Sequence, residues 1–160
     1  MHALVVEVVV TAVLETVPER VVGSSPTWGT KLKKMKAIIA KNNLSVIGNN
    51  HKLVWNCKED LKLFKELTMG QSCVVGYNTL STLPNLKGRR LFLDKRGDEL
   101  IDEKVDWCIG GKKTYEKYCH LFTELHISVI DNNSTGDTMF PNLQNLNKDC
   151  KIFFYYFSEN

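Results

Sequence analysis

An acidic residue on an apolar helix face is the first feature of this chain that could do chemistry. In residues 55–67, helical periodicity places Asp60, Leu61, Phe64 and Leu67 on one face. No lysine or arginine stands three or four positions from Asp60 to pair with it. A carboxylate in apolar surroundings must be hydrogen-bonded, ion-paired or raised in pKa. Three interpretations therefore remain open for Asp60. Its carboxylate is hydrogen-bonded or ion-paired by a distant part of the fold, it binds a ligand, or it only stabilises the helix dipole from the first turn.

Two strand-glycine-helix junctions could bind phosphate groups. Gly76 follows one apolar, strand-like run, and Gly110 and Gly111 follow another. Glycine lets a ligand approach the backbone, and free N–H groups at such a junction can hold a phosphate. Tight turns also use glycine, but two junctions at strand ends favour a dinucleotide ligand. Their spacing is not G-x-G-x-x-G, which disfavours an ordinary Rossmann dehydrogenase.

The composition predicts a single cytoplasmic domain. The chain has 160 residues, 43% of them apolar and 24% charged, and a net charge of +3 that is too small to indicate nucleic-acid binding. The five cysteines are odd in number and lack C-x-x-C spacing, which favours free thiols in a reducing compartment. The four histidines show no ligand spacing, and no segment is apolar enough to span a membrane. We therefore expect no metal, nucleic-acid or membrane partner.

Strand-like runs alternate with helix-like runs from residue 35 onward, which predicts an α/β fold with a largely parallel sheet. The helix that contains Asp60 is expected to end near Met69, before Gly70. Asn78 or Thr79 is expected to cap a brief helix ending near residue 84. A further helix is predicted over residues 113–122. The predicted strands cover residues 36–40, 72–76, 91–93, 105–109, 125–130 and 151–157, and a polar loop leads from the first of them to residues 46–48.

Residues 1–34 differ in amino-acid composition from the rest of the chain. They are rich in valine and contain no lysine before Lys31, whereas the chain from Met35 onward is rich in asparagine and lysine. Residues 21–30 resemble the translated T-arm of a transfer-RNA gene. We therefore propose that the natural start is Met35, with a domain over residues 35–160. The alternative is a genuine extension in which residues 5–10 pair as an added strand. N-terminal mass spectrometry distinguishes the two.

The order and spacing of these segments resemble dihydrofolate reductase. The resemblance covers nearly all of residues 35–141 and implies a mixed, mostly parallel central sheet flanked by helices. The matching motifs lie at residues 35–40, 46–48, 52–55, 59–61, 64–65, 75–80, 83–84, 88–89, 109–111, 114–116 and 136–141.

The resemblance implies roles for the substrate-binding residues. Asp60 would anchor and polarise the pterin ring, with Ser128 supporting it. Leu53 and Trp55 join them as candidate catalytic residues, and Arg89 would hold the carboxylate of the glutamate tail. The other implied substrate contacts are Ile39, Ala40, Leu61, Phe64, Leu83 and Ile109.

The resemblance also implies an activity and its partners. NADPH would transfer a hydride to C6 of dihydrofolate while N5 is protonated, and antifolates such as methotrexate or trimethoprim would bind the same monomeric protein. Residues 46–55 would form a mobile loop that closes on the nicotinamide, steadied by Asp137. The implied cofactor contacts are Lys41, Ile47, Gly48, Gly76, Tyr77, Asn78, Thr79, Asp94, Lys95, Gly110, Gly111, Lys112, Lys113, Thr114 and Tyr115.

The chain departs from the family pattern in its cofactor half and at its end. Tyr77 stands where a basic residue is usual, and Asp94 replaces a hydroxyl residue near the adenosine 2′-phosphate. Lys95 and Arg96 could supply the lost positive charge. Residues 93–105 are shorter than usual, and residues 151–157 form one strand of a closing hairpin that normally has two, which leaves an apolar edge.

These departures leave two other functions open. One is a non-catalytic or weakened descendant that binds pteridine or nucleotide. The other is the related reductase of riboflavin synthesis. The segment of residues 55–60 and Arg89 argue against it, since the substrate of that enzyme has no glutamate tail for an arginine to hold.

Overall fold

A seven-stranded sheet forms the centre of the protein in the computed structural model, which describes residues 4–6, 34–82 and 86–159. Its strands are β1 (Leu4–Val6), β2 (Met35–Asn42), β4 (Ser72–Val75), β5 (Arg90–Leu93), β6 (Trp107–Cys108), β7 (Phe122–Asp131) and β9 (Lys151–Ser158). They lie in the order β1-β9-β7-β2-β6-β4-β5, and every neighbouring pair from β9 to β5 is parallel. The predicted α/β fold with a mostly parallel sheet is confirmed.

The remaining elements flank this sheet. A second, two-stranded sheet pairs β3 (Val46–Gly48) with β8 (Thr138–Met139). The helices are α1 (Lys58–Thr68), α2 (Tyr77–Thr82) and α3 (Lys112–Tyr118), and a 3₁₀ turn at Cys119–Leu121 follows α3. Within the described ranges, no helix has the length and apolar character needed to cross a membrane.

Alternating residues of β2 place α1 and α3 on opposite faces of the sheet. Ile38 packs in the cluster that includes Phe64 of α1, whereas Ala37 packs in the cluster that includes Tyr115 and Tyr118 of α3. Parallel strands are buried on both faces in this arrangement. The carboxyl ends of the strands therefore open between two helical layers, where α/β sheets bind their ligands.

The helix α1 ends at Thr68, close to the predicted position. The Thr68 hydroxyl donates to the Phe64 carbonyl at 2.7 Å, and the Met69 N–H donates to the Lys65 carbonyl at 2.9 Å. Gly70 then has a φ of +79°, a conformation that glycine adopts without steric cost. The prediction that this helix stops before Gly70 is confirmed.

Several element boundaries were predicted wrongly. The second helix begins at Tyr77 directly after Gly76, so neither Asn78 nor Thr79 is its cap. The helix predicted over residues 113–122 ends at Tyr118, because the chain tightens into the 3₁₀ turn and the fully buried Phe122 begins β7. The strand predicted over residues 105–109 keeps only Trp107–Cys108, and β8 was not predicted.

The outer edge of β9 is paired in the structure. The strand β1 lies antiparallel to it, with Leu4 opposite Tyr156 and Val6 opposite Phe154. This pairing covers the edge that the sequence led us to expect open, and it uses residues 4–6 where the alternative interpretation named residues 5–10. The natural start at Met35 stays a prediction.

Removing residues 1–33 is expected to make the protein self-associate. The deletion takes away β1 and leaves the backbone N–H and C=O groups of β9 unpaired, which is a template for strand pairing between molecules. Size-exclusion chromatography with light scattering, over a range of concentrations, measures the effect against the full chain. If both forms keep the same mass at every concentration, β1 does not protect this edge.

Candidate functional site

A cleft with a volume of about 1390 Å³ opens at the carboxyl ends of the parallel strands. Ile39 in β2, Gly76 after β4, Asp94 after β5 and Ile109 after β6 all line it. Because these strands are parallel, their carboxyl ends lie at one edge of the sheet. The cleft therefore lies where ligands bind in open α/β folds.

Most of the predicted contact residues line this one cleft. They are Ile39, Ala40, Ile47, Gly48, Leu53, Leu61, Gly76, Tyr77, Asn78, Thr79, Asp94, Lys95, Ile109, Gly110, Gly111, Lys112, Lys113, Thr114 and Tyr115. The predicted residues outside its lining are Lys41, Trp55, Asp60, Phe64, Arg89 and Ser128. Leu83 lies outside the described residues.

Asp60 is buried directly before Leu61, which lines the cleft, and has polar groups beside it. Only 6% of the residue is exposed, and this burial raises the pKa of its carboxyl group, which the neighbouring Ser128 hydroxyl and Trp55 indole partly oppose. Ser128 and Trp55 are themselves buried, and neither Ser128 Oγ nor Trp55 Nε1 completes a hydrogen bond with the described part of the protein. Buried donors of this kind need a partner. A ligand or water beside Asp60 would satisfy them, which a mere dipole role for Asp60 does not explain.

The two glycine junctions meet to form a shallow backbone cradle. The Gly76 N–H donates to the Gly110 carbonyl at 2.7 Å. A Cβ at Gly76 would lie 2.9 Å from Thr114 Oγ1, and a Cβ at Gly111 would lie 2.7 Å from Thr79 Oγ1. Any side chain at either glycine would therefore fill the space between the two junctions. A bare backbone flanked by two threonine hydroxyls fits the diphosphate of a dinucleotide.

Tyr115 ties the cradle to the central strand. Its hydroxyl donates to the Ile38 carbonyl at 2.6 Å, and its ring lies where a Cβ at Gly110 would come within 3.3 Å. Burial raises the pKa of the Tyr115 hydroxyl well above its ordinary value, so the group stays a neutral donor. Gly110 has a φ of +116°, and the Tyr115 ring, which is fixed by this hydrogen bond, occupies the space that a side chain there would need.

A tight turn at residues 49–52 covers the cleft from the side of β3. The Asn49 and Lys52 backbones exchange hydrogen bonds of 2.8 and 3.0 Å. Asp137 Oδ2 accepts from the Asn50 N–H at 3.0 Å, and this bond is the main cause of the lowered pKa of Asp137. On the other side, the Thr82 hydroxyl donates to the His51 carbonyl at 2.7 Å. The segment predicted to be mobile, residues 46–55, is therefore hydrogen-bonded to Asp137, directly before β8, and to Thr82 at the end of α2.

Arg89 lies beside α1, next to the aromatic ring predicted to contact the substrate. Its guanidinium carbon is 5.6 Å from the centre of the Phe64 ring, and Nη1 donates to Thr68 Oγ1 at 3.2 Å. Arg89 Nε is buried and has no partner among the described residues. The guanidinium is thus oriented by α1.

The sequence profile of the dihydrofolate reductase family matches residues 34–99 and 93–151. This chain belongs to the dihydrofolate reductase family. A dihydrofolate reductase of Buchnera aphidicola subsp. Schizaphis graminum is 31% identical over an alignment of 140 residues, and the match covers 75% of this chain and 84% of that protein. Dihydrofolate reductase type 5 of Escherichia coli is 29% identical over an alignment of 147 residues, and the match covers 79% of this chain and 92% of the relative.

A solved structure agrees with this assignment. A dihydrofolate reductase from Enterococcus faecalis, complexed with NADP(H) and RAB-propyl, superposes with a TM-score of 0.59 at 25% sequence identity. The superposition covers 71% of this chain and 80% of that one. Membership of this family does not support the alternative interpretation that the protein is the reductase of riboflavin synthesis.

Two residues of this dihydrofolate reductase homologue were missed by the sequence reasoning. Asp94 Oδ1 accepts from Lys117 Nζ at 3.0 Å and from the Tyr118 hydroxyl at 2.8 Å. Lys117 and Tyr118 stand three and four positions after Thr114, so helical spacing could have placed them beside the cleft. Lys41, by contrast, extends its side chain over the Phe140 ring, with Nζ at 5.0 Å.

A metal ion has no evident site here. The described ranges contain no group of three or more histidine, cysteine, aspartate or glutamate residues that could hold one. All five cysteines are buried and free.

Proposed function

We propose that this protein reduces 7,8-dihydrofolate to 5,6,7,8-tetrahydrofolate with NADPH. The observation that carries the proposal is the buried Asp60, which has the Ser128 and Trp55 donors beside it and directly precedes Leu61 in the lining of the cleft that also contains the glycine cradle. Family membership supports the same reaction.

Asp60 binds and polarises the pterin. Its carboxylate accepts hydrogen bonds from the 2-amino group and N3, and Ser128 supports this arrangement from β7. Holding the ring in one orientation supplies much of the rate enhancement that positioning can give. A carboxylate at the ring edge also favours the protonated, electron-poor imine, and the N5 proton arrives through water beside Trp55.

The cradle and the turn at residues 49–52 hold the cofactor and exclude bulk water. Bound NADPH supplies the hydride for C6. The backbone at Gly76, Gly110 and Gly111, with the hydroxyls of Thr79 and Thr114, holds its phosphates, and Lys112 and Lys113 line the same part of the cleft. Ile47 and Gly48, in the strand that pairs with β8, line the cleft and would contact the nicotinamide.

The direct test follows NADPH oxidation by its absorbance, with and without dihydrofolate. We expect dihydrofolate-dependent loss of the NADPH signal, and inhibition by methotrexate or trimethoprim. A folded protein that shows no dihydrofolate-dependent oxidation would overturn the proposal.

The proposal also covers where and in what form the protein acts. We infer that the full chain, in which β1 pairs with β9, is a cytoplasmic monomer and that antifolates bind beside Asp60. The five free, buried cysteines suit a reducing compartment. Analytical ultracentrifugation tests the monomer, and fractionation of the producing cells tests its location.

A non-catalytic pteridine- or nucleotide-binding protein is the second candidate. The shortened cofactor half favours it, because Tyr77 is 71% exposed where a basic residue is usual and Asp94 is already paired with Lys117. Calorimetry distinguishes the two functions. Binding of dihydrofolate and NADPH without turnover would support the second.

Replacing Arg89 with lysine is expected to raise the KM for dihydrofolate about tenfold while kcat changes little. Lysine cannot reproduce the fork of donors that Arg89 directs past Thr68 toward a carboxylate. A dihydropterin without the glutamate tail should show equal KM for both proteins. Arg90→Lys, at the exposed neighbouring arginine, is the matched control. Equal losses with and without the glutamate tail would contradict the role of Arg89.

A further inference from the structure

Residues 46–55, which we call the covering segment, carry side chains to two parts of the site. Ile47 and Leu53 line the cleft, and the Trp55 indole lies beside the carboxyl group of Asp60. A segment of this length covers a cleft at a cost in conformational entropy, and that cost falls when its two ends are already held in place. The residues that hold the ends therefore affect how well the segment is positioned.

A continuous chain of hydrogen bonds joins the two ends of the covering segment. At its start, Asn42 Oδ1 accepts from the Val46 N–H at 2.9 Å. Directly after its end, Glu159 Oε2 accepts from the Asn56 N–H at 3.0 Å. Asn132 connects the two anchors, because its Oδ1 accepts from Asn42 Nδ2 at 3.0 Å and its Nδ2 donates to Glu159 Oε1 at 2.8 Å.

The members of this chain are fixed by further hydrogen bonds. Asn42 is 1% exposed, and its Oδ1 also accepts from the Leu44 N–H at 2.9 Å while its Nδ2 also donates to the Ser134 carbonyl at 2.8 Å. Asn132 Oδ1 accepts in addition from the Ser134 N–H at 2.9 Å. The bonds from Asn132 and from the Asn56 N–H lower the pKa of Glu159, so it remains a carboxylate. Satisfied polar networks of this kind are rigid.

The chain from Asn132 onward also runs along the covering segment. Gly136 lies against its backbone, since a Cβ at Gly136 would come within 2.5 Å of the Gly48 carbonyl oxygen. Asp137 then accepts from the Asn50 N–H at 3.0 Å. The start, the middle and the end of the covering segment are thus all held by the part of the chain that begins at Asn132.

We propose that Asn132 is a positioning residue that fixes both ends of the covering segment and so preorganises it over the nicotinamide end of the cleft. The inference rests on the proposed function. Asn132 does not line the cleft, so it acts through the covering segment and not on a ligand. Preorganisation lowers the entropy that cofactor binding and hydride transfer must otherwise overcome.

Moving the amide donor from one side chain to the other tests this connection. Asn132→Asp removes the donor and sets a second carboxylate against Glu159, in a place where Asp131 is also close in the chain. Adding Glu159→Gln returns a donor from the opposite side, because the new amide nitrogen can donate to the new carboxylate while the amide oxygen accepts from the Asn56 N–H. The double substitution therefore restores every bond that the single one breaks.

Hydrogen exchange followed by mass spectrometry measures the covering segment directly, without any ligand. In Asn132→Asp we expect the amides of residues 46–56 to exchange about fivefold faster. Exchange should return to the wild-type rate when Glu159→Gln is added. Residues 72–82, which contain β4 and α2, should exchange equally in all forms and so report that the fold is intact.

Cofactor binding and turnover should follow the order of the covering segment. We expect Asn132→Asp to bind NADPH about fivefold more weakly by calorimetry and to lower kcat by a similar factor, with both values restored in the double variant. Asn133→Asp is the matched control, because it adds the same charge one residue along. Asn133 Oδ1 accepts from Asn43 Nδ2 at 3.1 Å, a bond that a carboxylate keeps, so neither value should change.

The outcomes separate this inference from the proposed function. A double variant that exchanges as fast as Asn132→Asp contradicts the connection to Glu159. Faster exchange with unchanged NADPH affinity and kcat contradicts the positioning role. If NADPH affinity follows exchange in every variant while no dihydrofolate is reduced, the proposed function fails and the inference stands. If Asn132→Asp does not fold, Glu159→Gln alone leaves one of its two donors unpaired, and unchanged exchange in that variant contradicts the inference.

Discussion

Asp60→Asn is expected to lower turnover at neutral pH by about a hundredfold or more, the largest effect we predict for a single side chain. The amide keeps the shape of the carboxylate but carries no charge, so it can neither accept both pterin hydrogen bonds nor favour a protonated N5. The loss should shrink at low pH, where protons from the solvent reach the substrate more readily. Steady-state kinetics across pH measures the effect.

The same substitution should stabilise the protein at neutral pH. Burial raises the pKa of Asp60 above its unfolded value, so the ionised carboxylate costs folding free energy. The contribution of this group to stability is complete below the unfolded pKa and is lost as the pH rises through the folded pKa. The free energy of unfolding of Asp60→Asn should therefore exceed that of the wild-type protein by about 1 kcal/mol at neutral pH, and this difference should become smaller in acid. Denaturant unfolding at two pH values measures it.

An exposed acid on the same helix is the control for Asp60. Glu66→Gln removes one negative charge from α1 without touching the cleft, so turnover and its pH profile should not change. Neutral-pH turnover that stays unchanged in Asp60→Asn would show that Asp60 is only a structural acid.

Gly110→Ala is expected to damage both the fold and the glycine cradle. Gly110 has a φ of +116°, which a residue with a Cβ rarely adopts, and the added Cβ would meet the Tyr115 ring at 3.3 Å. That ring cannot move without breaking its hydrogen bond to Ile38. We expect a loss of about 1–3 kcal/mol in unfolding free energy and cofactor binding about tenfold weaker or worse.

Gly70→Ala separates strain from crowding. Gly70, which does not line the cleft, also has a positive φ, +79°, but a Cβ there would meet none of the described residues within 4 Å. It should lose stability through φ alone and keep its cofactor affinity. Thermal unfolding and NADPH titration of both variants make the comparison, and equal cofactor affinities would show that the cradle tolerates a side chain.

Local patterns in the sequence were enough to find the elements that support the site. The apolar runs before Gly76 and Gly110 predicted two parallel strands, because buried strands need uninterrupted apolar residues. The spacing of Asp60, Phe64 and Leu67 predicted a helix with a carboxylate on its apolar face, and burial of Asp60 agrees. Boundaries were less predictable. The end of α3 is set by the burial of Phe122 in β7, which is a contact between distant segments.

The sequence did not predict which side chains meet across neighbouring strands of the sheet. His126 stacks on Phe153 with ring centres 4.6 Å apart and bonds to both Tyr155 and Glu124. Its burial lowers the pKa of its imidazole. Nothing in the spacing of these residues predicts the group, because β7 and β9 are brought into register only by the folded sheet.

The sequence by itself determined the α/β fold through its alternating apolar runs, and its resemblance to dihydrofolate reductase indicated the family and most of the residues that line the cleft. Only the tertiary structure decided how their charges are used. It paired Asp94 with Lys117, left the donors beside Asp60 without partners among the residues described, and placed Leu4–Val6 along β9. The physical reason is that ion pairs, burial and strand pairing depend on distances between segments far apart in the chain, which local sequence patterns do not specify.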